Sequence, residues 1–541
     1  MRYTSSGITL GMRDTIRFYE RFTSRLSRRE VMKLAWFTGA GLLAAPLATR
    51  RLTATPIFDA YPFSLGVASG DPQPDGVVLW TRLAPKPLEG GGMPMANVDV
   101  GWEVAHDPQF RQIAVKGTTN APPELGHAVH VEVTGLEPGR EYWYRFHAGN
   151  EVSQTGRTKT APAAGASVDA LRFAVCGCSH YEMGHFSAYR RMAEEQFDFV
   201  FHTGDYIYEG RPNGGRNDAV VRQHIGHEPY TLDDYRLRYA QYKMDPDLKA
   251  AHASAPFVMA WDDHEVDNNY AGDHDENDTP PELFLLRRAA AYQAYYEMMP
   301  LRATAMPRGP DMRIYRRMQF GSLIDFTVLD TRQWRSDQAC GDGSHTDCAE
   351  ALDPSRSILG VEQEKWLFEN LAAIRARWTV LGQQVPTFRN DRHAVFPDGA
   401  LSMDKWDGYV PSRQRLYARL AETRAPNPIV LSGDVHVHFG ADLNMDFMNP
   451  RSATVGVEFT NTSITSGADG TDVGPGWDQV KADNPHIKFH SARRGYIACT
   501  ATNATMRADF KILDRVTVPN RPATVAGSLV VEAGRPGGTT D

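Results

Sequence analysis

Two kinds of hydrophobic pattern divide the chain. Between about residues 63 and 160, short runs alternate polar and apolar positions with period two, at 77–82, 98–104, 129–133 and 141–146. β-Branched and aromatic residues dominate them, and Pro and Gly separate them, as in Leu136-Glu-Pro-Gly139. Each therefore predicts a strand, and several in close succession predict a sandwich, with Trp80, Trp102 and Trp143 assigned to its core. The small, proline-containing stretch 161–166 predicts a linker. After residue 170 the pattern changes. Continuous apolar runs at 171–176, 197–201, 257–261, 324–329, 378–381 and 428–431 alternate with helical periodicity over 186–195, 360–376 and 412–422. Strands apolar on both faces, interleaved with helices, predict an α/β domain with a buried sheet.

Length and composition narrow the picture without changing it. At 541 residues the chain exceeds what one core supports. A content of 42% hydrophobic and 23% charged residues excludes a disordered, collagenous or coiled-coil protein. Apolar runs fall short of the roughly 20 residues a membrane span needs, which excludes a multi-span protein. Residues 1–51 carry ten basic and three acidic side chains, a balance of +7 that leaves −15 of the net −8 to the rest. So acidic a body repels polyphosphate, so no nucleic-acid scaffold is expected. The basic stretch holds Ser27-Arg-Arg-Glu-Val-Met-Lys33, then an apolar segment from Leu34 to Ala45 and small residues around Ala48. That is the layout of an export signal, and Arg28-Arg29 resembles a twin-arginine signal.

The chemistry gathers where the later strands end. Polar, ligand-type residues follow five of the apolar runs: Cys178 with His180, Gly204-Asp205, Asp262-Asp263-His264-Glu265, Gln383-Gln384 and Gly433-Asp434-Val435-His436. Ligands in open α/β sheets collect beyond the carboxyl ends of strands. Carboxylate and phenolate oxygens suit hard cations, whereas imidazole and thiolate suit iron or zinc, so this set favours a mixed metal site. Cys340 and Cys348 flank a polar loop at a spacing that permits a disulfide, although pairing cannot be read from sequence. Cys176 and Cys499 lie within apolar runs and are assigned to core.

Gly204-Asp-Tyr-Ile-Tyr208, Trp261-Asp-Asp-His-Glu265 and Gly433-Asp-Val-His436 resemble the segmented signature of calcineurin-like metallophosphoesterases. These variants, with Asp330-Thr-Arg-Gln333, Thr462-Ser-Ile-Thr-Ser466 and the twin-arginine stretch, resemble the alkaline phosphatase D (PhoD) family from about residue 63 onward. The resemblance implies an α/β fold, a metallophosphoesterase-type β-sandwich flanked by helices, preceded by a small all-β fibronectin/Ig-like domain. It implies a signal and leader over 1–52, the β domain over 58–162, the catalytic domain over 168–525 and a C-terminal tail over 526–541. It further implies Fe(3+) and Ca(2+) as cofactors. Cys178, Tyr208 and His436 would hold iron, Asp205 would bridge, and Asp263 and Asp434 would hold calcium. His180 is a possible extra ligand, and Asp262 is assigned a hydrogen-bonding role. His264 resembles the histidine that assists the leaving oxygen, and Arg332 and Asn269 are candidates for contacting substrate. Where the wider superfamily has a histidine this chain has Gln383-Gln384, whose amide oxygens suit calcium better than zinc.

The function so implied is an exported phosphomonoesterase or phosphodiesterase in which a metal-bound hydroxide attacks phosphorus, without a protein nucleophile. Its partners would be small-molecule or polymeric phosphate esters and the twin-arginine export machinery, and the protein would be a periplasmic or secreted monomer with no stable membrane anchor. Two alternatives are a phospholipase D-like phosphodiesterase and a non-enzymatic cell-wall binding module.

Overall fold

The computed structural model describes residues 57–215, 220–393, 395, 399–474 and 476–541. The basic, apolar segment read as an export signal lies outside them. Among the described residues no helix is long and apolar enough to cross a membrane.

Two sheets face each other across an apolar core. In the first, Ala170–Cys176, Phe199–His202 and Pro256–Met259 run parallel, and Val67–Gln73 pairs parallel to the last of them. In the second, Ile324–Val328, Trp378–Gly382, Pro428–Ser432 and Thr454–Thr460 are likewise parallel. The long strand Ile487–Thr502 belongs to both, pairing with His438–Asn444 at its start and with Ala170–Cys176 at its end. Phe173, Phe199 and Phe201 meet Phe326, Val380 and Leu431 between the sheets. Because side chains alternate, the other face of the first sheet presents Ala174, Cys176 and Val200 to the helices Ser187–Glu194, Leu232–Lys243, Pro246–Ser254 and Pro281–Met298. The helices Val361–Ala373 and Val410–Thr423 cover the outer face of the second sheet. This is the expected α/β sandwich flanked by helices. The parallel arrangement matters for function, since it brings the carboxyl ends of seven core strands to one edge.

The N-terminal strands divide between two sheets. Val67–Gln73, Gly76–Arg82 and Ala128–Val133 extend the first sheet, while Val98–Ala105, Ile113–Ala121 and Glu141–Ala148 build a second layer over them. Tyr142, Tyr144 and Phe146 point into the core between those layers. Trp143 alternates with them and is half-buried on the outer face, whereas Trp102 shares the face of Val100 and Val104, lies opposite Phe146 and is partly buried against that core, and Trp80 is fully buried. The period-two rule decides this, because one face of the added layer meets solvent. The presumed linker is docked: the Ala161 amide donates to the Gln73 carbonyl and the Ser322 amide to that of Ala166. Residues 526–541 continue the sheet through Ala523–Glu532 and Gly538–Thr540. Cys340 and Cys348 are joined in a disulfide, and Cys176 and Cys499 are buried free thiols.

Candidate metal centre

Two of the three loops at the carboxyl edge are drawn together by one buried carboxylate. Glu265 accepts from the main-chain amides of Asp205 and Asp262, at 3.0 and 2.7 Å, and from that of Tyr206. The Cys178 and Ser179 amides donate to the Gly204 and Asp205 carbonyls, which ties the first loop to the second. Close approach needs glycine here. A β-carbon on Gly204, at φ +128°, would run into the Asp262 amide, and one on Gly433 into the Thr203 hydroxyl. Four side-chain-bearing residues take the left-handed conformation as well: Cys178, Asp205, Asp434 and His436, with φ of 59°, 53°, 67° and 57°. Such conformations cost on the order of 1–3 kcal/mol each and persist where the surroundings impose them, commonly at functional sites.

These turns aim their side chains at one another. Three groups of potential ligand atoms lie within 4.8 Å of one another: Cys178 with Asp205 and His436, Asp205 with Asp263 and His264, and Asp262 with Asp263 and Asp434. Asp205 joins the first group to the second, and Asp263 joins the second to the third. The Tyr208 hydroxyl donates to Asp205 Oδ2 at 2.9 Å and lies 3.0 Å from His436 Nε2, which places it in the first group too. Asp263 Oδ1 and Oδ2 accept from the amides of His264 and Asn269. Cys178, Asp205, Tyr208, Asp263, Asp434 and His436 are thus parts of one continuous cluster.

The electrostatics are those of a site lacking positive charge on one side. Burial, reinforced by Asp205, Asp434 and Asp262, pushes the Cys178 thiol well above its ordinary pKa. Burial, with Asp263, Asp262 and Glu265, does the same to Asp205 despite the opposing His264. Burial and then Asp205 raise Tyr208. His436 is held neutral by burial, Arg494 and His264, the state in which imidazole binds metal. Asp205 Oδ1 is buried with no hydrogen-bond partner. An orphaned carboxylate oxygen beside a buried thiol and a neutral imidazole is costly unless a cation is present, and this donor set fits one. His264 is pulled down by burial but raised well above its ordinary value by Glu209, Asp263 and Asp205, with Nδ1 2.7 Å from Glu209 Oε2.

The remaining candidates have other places. Arg332 is fully buried and bonded to Asp262, to Asp404 at 2.6 Å and to Asp434 at 3.2 Å, with Asp263 3.7 Å away. It is therefore a counter-ion within the cluster. The Asn269 side chain donates to Asp342, not into the cluster. His180 accepts from the Glu182 amide and lies beside the Tyr208 ring. His438 bonds the Lys511 carbonyl and the Thr462 amide within the scaffold. Gln383 and Gln384 are held by hydrogen bonds within the protein. Gln383 Oε1 accepts from the Trp406 indole, and Gln384 Oε1 from the Thr331 amide and hydroxyl. Sequence reasoning missed Glu209, Asp404, Lys405 and Arg494. Arg494 Nη1 donates to the His436 carbonyl and to the Ser463 hydroxyl, fixing the turn that carries His436. Glu209 directly follows Tyr208 and was open to view; the other three have no motif to mark them.

Comparison with known proteins gives the chain a family. The profile of the family described as "PhoD-like phosphatase" matches residues 173–510, and that of "PhoD-like phosphatase, N-terminal domain" matches residues 49–162. The chain is 48% identical over 506 residues to the Bacillus subtilis (strain 168) protein named alkaline phosphatase D, covering 93% of this chain and 87% of that one. A solved structure titled "Structure of PhoD" superposes with a TM-score of 0.88 at 49% identity, covering 90% of this chain and 93% of the other. With both profiles matched in order, and with the relative and the solved structure similar along nearly all of the chain, this protein belongs to the PhoD-like phosphatase family and is a hydrolase of phosphoric esters.

Proposed function

We propose that the chain is an exported, metal-dependent phosphomonoesterase and phosphodiesterase, with a trivalent iron in the Cys178–Asp205–Tyr208–His436 group and calcium in the groups built on Asp263 and Asp434. The observation that carries this reading is Asp205, whose one unpartnered, buried oxygen stands at the junction of two ligand groups. Thiolate and imidazole in the first group suit iron, phenolate and the shared carboxylate suit its high charge, and the all-carboxylate third group suits a hard divalent ion. Ions bound there would lower the pKa of a water and neutralise charge on phosphate oxygens.

The chain's own residues supply the rest. Glu265 holds the second and third loops in register through three main-chain amides. Glu209 binds His264 Nδ1 and keeps the ring charged, leaving Nε2 as the nitrogen that can give a proton to the departing alcohol oxygen. Arg332 orients Asp262 and Asp434 and offsets their charge. No Gly-x-Ser-x-Gly elbow occurs in the catalytic region, consistent with water as the nucleophile. Export rests on Arg28 and Arg29: changing both to lysine is expected to leave precursor in the cytoplasm, and normal export of that variant would remove the assignment. For the chemistry, chromogenic phosphate mono- and diesters are assayed before and after chelation. Loss of turnover on chelation and its return with iron and calcium support the reading, and full activity of metal-stripped protein contradicts it.

A further inference from the structure

The three ligand groups differ in how much positive charge the protein already gives them. Around the third group four buried carboxylates, Asp262, Asp263, Asp404 and Asp434, face Arg332, Arg335 and Lys405. Asp404 is fully engaged: its Oδ1 accepts from Arg332, Arg335 and Gln338, and its Oδ2 from Lys405 at 2.7 Å. Lys405 also pairs with Asp434 Oδ2, an atom on a proposed ligand. The first group is different. Asp205 takes its one side-chain hydrogen bond from Tyr208 and leaves Oδ1 bare, and Arg494 reaches only a main-chain carbonyl there.

The cations of the third group are not equivalent. Arg332 has no exposed side-chain surface and its fork is fixed by several carboxylates, so it cannot leave without stranding them. Lys405 is a point charge on a flexible stem whose side chain is 18% exposed, and Asp404 remains as its partner if Asp434 is taken away.

We propose that Lys405 is a displaceable internal counter-ion of the Asp262–Asp263–Asp434 group. A divalent cation enters by removing Lys405 from Asp434 Oδ2, so this group exchanges its ion while the Cys178–Asp205–His436 group retains its own. The proposal rests on the metal reading above and adds a residue that sets the relative affinities within it. Removing the lysine charge destabilises the calcium-free protein, where it balances carboxylates, and strengthens calcium binding, where it competes.

The test is calorimetric titration of iron-loaded, calcium-free protein with calcium chloride, for the wild type, K405M and K405Q, with thermal unfolding of each in calcium-free and calcium-saturated form. The variants are expected to bind calcium about tenfold or more tightly, a change of ~1.4 kcal/mol. Their unfolding midpoints should fall below the wild type without calcium and return to it when saturated. Unchanged or weaker calcium binding in both variants overturns the counter-ion role alone. Failure of both variants to fold even with calcium also overturns it, because the charge would then be needed in the loaded state. A wild type that binds no calcium overturns the metal reading and this proposal together.

Discussion

Replacing Asp205 by asparagine separates metal binding from folding at the residue that links two ligand groups. The side chain keeps its shape, and one amide oxygen can still accept from the Tyr208 hydroxyl, which donates to Asp205 at 2.9 Å. What disappears is one negative charge shared by two ion positions. A unit charge about 4 Å from another at an effective dielectric of ~20 is worth about 4 kcal/mol. That corresponds to roughly a thousandfold in ion affinity for each unit of cation charge. D205N is therefore expected to lose ions on gel filtration and to fall by at least ~10³ in kcat/KM. The metal-free proteins should behave in the opposite way. Asp205 is buried with an orphaned oxygen among other carboxylates, so its neutral replacement folds at least as stably as metal-free wild type. The assays are elemental analysis after desalting, ester hydrolysis, and thermal unfolding with and without chelator. D205N that keeps its full metal content and turns over within tenfold of wild type would refute the bridging role. D205N that is markedly less stable than wild type in the metal-free state would show that the carboxylate serves the fold instead.

Glu209→Gln removes the charge that holds His264, and a 10–100-fold loss in kcat with little change in KM is expected, since partners of site residues typically matter at that level; an equal rise in KM would point to substrate binding instead. Phenolate or thiolate bound to iron absorbs visible light, so holoenzyme should be coloured and Tyr208→Phe should shift or abolish the band; a colourless, active, iron-free preparation contradicts the iron assignment. Cys340→Ser should leave turnover unchanged while lowering stability by about 2–3 kcal/mol, the loop-closure cost for a sequence separation of 8, read as a drop in unfolding midpoint; a loss of activity would tie that loop to the site.

The parts of the molecule that sequence disclosed are those in which local pattern and tertiary role coincide. The parallel strands are buried on both faces, so they read as unbroken apolar runs, and their polar ends mark the edge where ligands gather. The helices Leu232–Lys243 and Pro281–Met298 had no such signature. Tyr235, Tyr239 and Tyr242 in the first, and Tyr292, Tyr295 and Tyr296 in the second, are buried around much of the helix circumference, which removes the apolar stripe that periodicity detects. The same limit applies to Trp143, where residue type suggests core and only strand register shows the outward face. In the metal cluster the ligand types are marked by motifs, but their counter-ions are not. Asp404 and Lys405 sit about 140 residues from Asp262 in sequence; Asp404 is linked to it through Arg332, and Lys405 pairs with Asp434 beside it. Gln383 and Gln384 are the converse case, a polar pair at a strand end whose hydrogen bonds turn out to serve packing.

Anomalous X-ray scattering from crystals of the native protein, recorded on both sides of the iron absorption edge, tests the central claim most directly. The account predicts an iron peak within bonding distance of Cys178 Sγ, Asp205, Tyr208 and His436, with a lighter, calcium-like peak beside Asp263 and Asp434. Active protein whose map shows no metal among these side chains would contradict it.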